Sequence, residues 1–410
     1  MFMSATSPIA EPDNTGASLR AIAAGLCASL VGIGLARFAY TPLIPSLIDA
    51  HWFSVDDVIY LGAANLLGYL AGALLGRPMA RRFSAHFILR GMMVLASLAF
   101  FACAFPLSVG WFFVWRFLSG LAGGSIMVLV ASTVLPQVPV QRRGLAGGAI
   151  FVGIGFGVAA SGTLVPLLMQ LGLRAAWLGL GSLSLLLAII SWTFWPATPP
   201  TGKPLPAKHG AAQPPGMALA LNILFVQYAL MAVALVPMMV FLVDYVARGL
   251  GWGAHEAAVF WVIYGLGAIA GPMLYGALAD RIGPAMTSRL ALLLQAVALG
   301  VMMVSQQHVV LMLATFVVGT FPPGIVPITL GRLHQLLQHD AAAQNAAWSR
   351  ATTVFALFQA LAGYGYSWMF SHSGGNYHLL LVTAVGALLL ALLADLAQKI
   401  LSGKRAPATL

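Results

Sequence analysis

Twelve stretches of this 410-residue chain are apolar over about 20 residues, the length a helix needs to cross a bilayer. An unpaired backbone amide costs several kcal/mol in lipid, so such a run has one workable fold, a helix that satisfies its own hydrogen bonds. The runs fall near 19–48, 55–77, 85–106, 110–136, 142–170 and 174–196, then near 217–248, 254–279, 285–305, 308–332, 342–370 and 377–400. Hydrophobic residues make up 60% of the chain and charged residues 7%, against about 25% charged in soluble domains. The fold class is therefore an all-α membrane protein with many spans.

The chain repeats itself. Asp57–Arg77 and Trp261–Arg281 share nine identities in 21 positions, among them Val58-Ile59-Tyr60 and Val262-Ile263-Tyr264. The offset of 204 positions is half the chain, so the two halves are expected to be structural equivalents. This divides the sequence into an N-terminal tail (1–18), a first six-helix bundle (19–196), a Pro-rich linker (197–216), a second bundle (217–400) and a short tail (401–410). The repeat ends in Gly276-Ala277-Leu278-Ala279-Asp280-Arg281-Ile282-Gly283-Pro284 and its degraded twin Gly72-Ala73-Leu74-Leu75-Gly76-Arg77-Pro78. Both are expected to turn an apolar run into a short charged loop.

The net charge of +10 is explained by orientation. With both termini in the cytoplasm, 16 of the 20 lysines and arginines fall on the cytoplasmic side. A nucleic-acid partner is not implied. Cys27 and Cys103 both lie within apolar runs, so no disulfide framework is expected. The nine histidines are scattered over tails, loops and helix ends without metal-ligand spacing, and neither an enzyme nor a metal or other cofactor is indicated.

Two arginines stand inside apolar runs, Arg37 on the first and Arg116 on the fourth. A lone guanidinium in hydrocarbon costs at least about 2.5–3.5 kcal/mol, so each is expected to face a water-filled cavity or a partner. No carboxylate occupies the middle of a run: Asp49, Asp56, Asp57 and Glu256 lie at outer loops or helix ends, Asp244 near an outer end and Asp395 near an inner one. Two buried cations without an acid make an electropositive space that an organic anion would neutralise. In the competing reading Asp57 or Asp244 reaches inward and forms a structural pair.

The pattern Gly-x-x-x-Asp-Arg-x-Gly at Gly276–Gly283 resembles the cytoplasmic loop motif of the major facilitator superfamily. The run Arg116-Phe117-Leu118-Ser119-Gly120-Leu121-Ala122-Gly123-Gly124 resembles its fourth-helix motif. Gly32–Pro45, Gly319-Thr320-Phe321 and Gln359-Ala360-Leu361-Ala362-Gly363 are similar to the YbfB/YjiJ-type bacterial branch, with departures at Pro322-Pro323 and in a glycine missing before Gln359. The resemblance implies two pseudo-symmetric six-helix bundles in a bacterial inner membrane, working as a monomer by alternating access, with one solute site between them. On that plan the cavity-lining residues are Arg37, Tyr40, Asn65, Tyr69, Arg116, Gln227, Tyr228, Tyr264, Thr320, Gln359 and Tyr364. Asn65 and Tyr69, four apart, share a helical face. Gln295 falls on a peripheral helix.

Gating is expected from Gly72, Arg77, Gly276, Asp280, Arg281 and Gly283. Asp280 sits at a helix C-terminus that is already partly negative, so it needs another helix N-terminus or the guanidinium of Arg142 or Arg143. Such a contact would exist only with the cytoplasmic side closed, and Gly76 at the equivalent first-half position makes the latch one-sided. The fifth run carries Gly144, Gly147, Gly148, Gly153, Gly155, Gly157 and Gly162, which resembles the drug/proton antiporter motif without its Gly-Pro dipeptide; close packing alone explains it. The expected activity is proton-coupled movement of a small organic anion, with a drug/proton antiporter as the alternative.

Overall fold

The computed structural model describes residues 15–139, 143–196, 215–337 and 340–403. Most of both expected tails and of the linker, with Arg142, lies outside the described residues, as does the side chain of Arg143. Among the described residues all regular structure is helical. The long helices are α1 (Gly16–Asp49), α2 (Val55–Phe83), α3 (Ala85–Cys103), α4 (Val109–Gln137), α5 (Arg143–Met169), α6 (Leu173–Ser191), α7 (Gly216–Gly249), α8 (Gly253–Ile282), α9 (Pro284–Val304), α10 (His308–Leu336), α11 (Ala341–His372) and α12 (Tyr377–Gly403). Eleven of them are long and apolar enough to cross a membrane. The other, α11, has the length but carries Gln344, Ser349, Arg350, Thr352, Thr353 and Gln359, which lower its hydropathy.

The motif copies are not loops. Helix α2 continues through Arg77 and Pro78 to Phe83, and α8 continues through Asp280 and Arg281 to Ile282. Charge marks where lipid ends; it does not end the hydrogen-bond ladder. Pro78 forfeits only the bond to the Leu74 carbonyl, on an exposed side of the helix. The chain turns later, at Ser84 (φ 74°) and Gly283 (φ 84°), both in a region that side chains enter only under strain: glycine meets it freely in the second half, and Ser84 bears it in the first.

Within each half, helices meet through glycine. A Cβ on Gly72 would sit 2.1 Å from the Leu121 carbonyl oxygen of α4, so this residue, expected to gate, is a packing contact between α2 and α4. Gly271 does the same between α8 and α10, where a Cβ would lie 2.1 Å from the Thr320 oxygen. Two seams join the halves, α2 against α11 and α5 against α8.

Candidate functional site

Helix α1 breaks where its sequence withdraws support. A π-helical turn covers Leu30–Leu35, Ala36–Phe38 returns to α, and a 3-10 turn over Thr41–Leu43 precedes the last segment, Ile44–Asp49. Pro42 and Pro45 have no amide proton to give the preceding turn, and π-turns of this kind recur at functional sites. Gly34 lets α5 come close, for a Cβ on Gly157 would lie 2.5 Å from the Gly34 Cα. The bend places Arg37 in the interior, 9% exposed.

The Arg37 guanidinium carbon lies 5.0 Å from the Tyr69 ring centroid and 5.6 Å from that of Phe38. Its Nε and Nη2 are buried and donate to nothing, and among the described residues it forms no ion pair. Tyr264 is an electrostatic neighbour from α8; it is 1% exposed, and its hydroxyl is also unpartnered. Tyr264 stacks on Trp261 with centroids 5.1 Å apart and planes 5° apart. Trp261 in turn stands 6.2 Å from Phe38 and donates its Nε1 proton to Ser161 Oγ on α5 at 2.9 Å. Residues of both halves thus meet around one guanidinium. Trp261 and Phe38 were not foreseen, although Trp261 is three residues before Tyr264 and so shares its face.

Arg116 is placed differently. It is 2% exposed among Ala96, Phe100 and Cys103 of α3 and Trp177 of α6, inside the first half. Its Nη1 donates to the Ala36 carbonyl at 2.8 Å, and its guanidinium carbon stands 4.2 Å from the Tyr40 ring centroid. The Tyr40 hydroxyl donates to the Val58 carbonyl at 2.6 Å. Asn65 Nδ2 donates to Ser119 Oγ at 2.8 Å and to the Arg116 carbonyl at 3.3 Å. Tyr40, Asn65 and Arg116 are therefore brought together as supports of the bend, while Tyr69 faces Arg37.

The other candidates divide. Tyr228 packs on Phe355 of α11, centroids 4.6 Å apart, and Gln359 Nε2 reaches Met239 Sδ at 3.9 Å. Tyr364 is half-buried with its ring 6.4 Å from Tyr60, and Thr320 shares a 2.9 Å hydrogen bond with Tyr275. Gln227 accepts from Arg332 Nη1 at 2.5 Å. Arg332, expected at the cytoplasmic surface, is buried instead and pairs with Asp395 at 2.6 Å, while Arg289 Nε pairs with the other Asp395 oxygen at 2.5 Å. Arg37 and Arg116 are thus not the only arginines inside the protein. Asp244 pairs with Arg248 and Asp57 accepts from Ser54, so neither acid reaches Arg37. Gln295 is buried on α9.

The seams are closed toward one face. There Asp56 accepts from Ser371 at 2.5 Å, and Thr41 donates to the Met239 carbonyl at 2.8 Å. A Cβ on Gly155 or Gly265 would press within 2.6 Å of the opposite helix, whereas one on Gly147, Gly148 or Gly276, nearer the arginine-rich face, would meet nothing within 4 Å. Asp280 and Arg281 are exposed on that face, and Asp280 forms no ion pair among the described residues. Arg77 is half-buried.

A protein-family model described as uncharacterised MFS-type transporter YbfB matches residues 29–396, from the start of the π-turn of α1 to within α12. The chain belongs to this family. It is a multi-pass membrane transporter of the major facilitator type, and the resemblance in Gly32–Pro45 and around Gln359 was a true one. In this MFS-type transporter the matched region contains every described element that meets at Arg37.

Proposed function

We propose that this transporter moves a small organic anion by alternating access between two six-helix halves, driven by proton coupling, with both termini on the cytoplasmic side of a bacterial inner membrane. The observation that carries the reading is Arg37: a buried cation on a broken helix, without an ion pair among the described residues, between rings from its own half and opposite α8. An unneutralised buried charge is destabilising, and a bound anion removes that penalty. The seams support alternating access: α2 and α11 touch toward the Asp56 face, while the glycines of α5 and α8 nearer the Asp280 face have open space around them, as in a conformation open to the arginine-rich side. On the positive-inside rule that side is the cytoplasm.

Ligand-induced thermal stabilisation of the purified protein tests the anion. Organic acids should raise the melting temperature of the wild type, and the effect should vanish in Arg37→Ala and shrink strongly in Arg37→Lys, since lysine keeps the charge but loses the planar fork. Stabilisation by cationic drugs that persists in both variants would replace the anion with an exported cation.

A further inference from the structure

We propose that the anion is an aromatic monocarboxylate, seated with its carboxylate on Arg37 and its ring among Phe38, Tyr69, Trp261 and Tyr264. The inference rests on the anion reading above and narrows it. Nε and Nη2 form one edge of the Arg37 guanidinium, and both protons on that edge are unpartnered. The Tyr69 and Phe38 rings stand 5.0 and 5.6 Å from the guanidinium carbon, and the Nε/Nη2 edge has no protein acceptor. Two parallel N–H groups match the two oxygens of one carboxylate. The buried Tyr264 hydroxyl adds a third donor without an acceptor. The guanidinium edge can only donate and the Tyr264 hydroxyl can donate as well, and an ionised carboxylate accepts from both.

The open guanidinium edge beside the rings sets the number of carboxylates. Arg116 gives Nη1 to Ala36 and stands over Tyr40; its Nε is also unpartnered, but it lies among Ala96, Phe100, Cys103 and Trp177 of the first half rather than beside the rings of α8. Arg332 and Arg289 share the single Asp395 carboxylate, and Arg248 pairs with Asp244, so each of these guanidiniums is already engaged by an acid. The open Nε/Nη2 edge of Arg37 accommodates one carboxylate; a second would be buried against rings with no partner among the described residues. Four rings from α1, α2 and α8 supply the rest of the surroundings, with Tyr264 and Trp261 already in a stacked pair. Rings of this kind favour an aromatic ligand over a saturated one of the same size, through quadrupole contacts.

The test compares four probes on the full chain in detergent by thermal shift: benzoate, cyclohexanecarboxylate, terephthalate and benzylammonium. Benzoate is expected to bind several-fold more tightly than cyclohexanecarboxylate and about tenfold or more tightly than terephthalate. Tyr264→Phe keeps the ring and removes only the hydroxyl, and it should weaken benzoate by about tenfold while leaving the ligand-free melting temperature near that of the wild type. Equal binding of the three acids, or tighter binding of terephthalate, would overturn the aromatic monocarboxylate and leave the anion reading standing. Binding of benzylammonium alone, or no stabilisation by any acid, would overturn both.

Discussion

Arg116 donates a hydrogen bond to the carbonyl of Ala36, 80 positions earlier and immediately before Arg37. One buried arginine therefore braces the bend that presents the other. Replacing Arg116 by alanine removes a charged donor and leaves the Ala36 carbonyl unsatisfied, a loss of about 1.5–3 kcal/mol. Arg116→Ala is expected to lower the melting temperature of the ligand-free protein. Arg37→Ala should not, because it removes a cation that has no protein acceptor. Equal thermal losses in the two variants would contradict this division of labour.

The ion triad of α9, α10 and α12 makes a second prediction. Asp395 is buried between half-buried Arg289 and buried Arg332, so Asp395→Asn leaves two cations sharing no acid. Breaking a buried pair from one side costs about 3–5 kcal/mol, and the variant should express poorly or melt early. Replacing all three residues with apolar ones of similar volume should recover much of the loss. An Asp395→Asn protein as stable as the wild type would show that the triad holds nothing together.

How much of this was readable beforehand depends on how local each signal is. The spans were legible because each lies within one continuous apolar run and lipid leaves the backbone no alternative. The helix ends at Phe83 and Ile282 were not, because Arg77 and Asp280 report the membrane boundary while the helix continues beyond it. Arg332 and Asp395 were placed at the inner ends of their helices, but their pairing was not legible, since it joins separate helices and no local pattern encodes it. Arg37 was legible as a lone charge in an apolar run. That Arg116 would turn away into the first half required knowing which face of α4 meets α3 and α6.

Orientation can be checked without a ligand. Reporter fusions after Lys203 and after Leu401 should both read cytoplasmic if the halves are equivalent and 16 of 20 basic residues lie inside. A periplasmic signal at either position would remove the twelve-helix, termini-inside arrangement.

Closure of the far face rests partly on the Asp56–Ser371 hydrogen bond between α2 and α11. Its removal in Asp56→Ala, at an exposed position, should shift the conformational balance by about 0.5–1.5 kcal/mol, roughly two- to tenfold, away from the state described here. In a background with Cys27 and Cys103 replaced by alanine, Gly148→Cys sits where an added side chain meets nothing within 4 Å. Its labelling by a thiol reagent from the arginine-rich side should therefore slow in Asp56→Ala. Faster labelling would mean that Asp56 holds the opposite state.

Asp280 should act in the other direction. It is exposed and without an ion pair among the described residues, at the end of α8, whose own carbonyls repel it. We propose that its partner is a contact made when the arginine-rich face closes. On that proposal Asp280→Asn should weaken the closed-face state by about 1–3 kcal/mol, a population shift of roughly 5–150-fold. Labelling of Gly148→Cys should rise in Asp280→Asn, opposite in sign to Asp56→Ala, and the double variant should fall between them, because the two residues bias one equilibrium from its two ends. A mutated Arg77 has no such prediction, since its first-half motif carries Gly76 where the second half has Asp280. If Asp280→Asn leaves labelling unchanged while Asp56→Ala alters it, the arginine-rich face closes without Asp280, and that carboxylate is a solvated charge at a helix end.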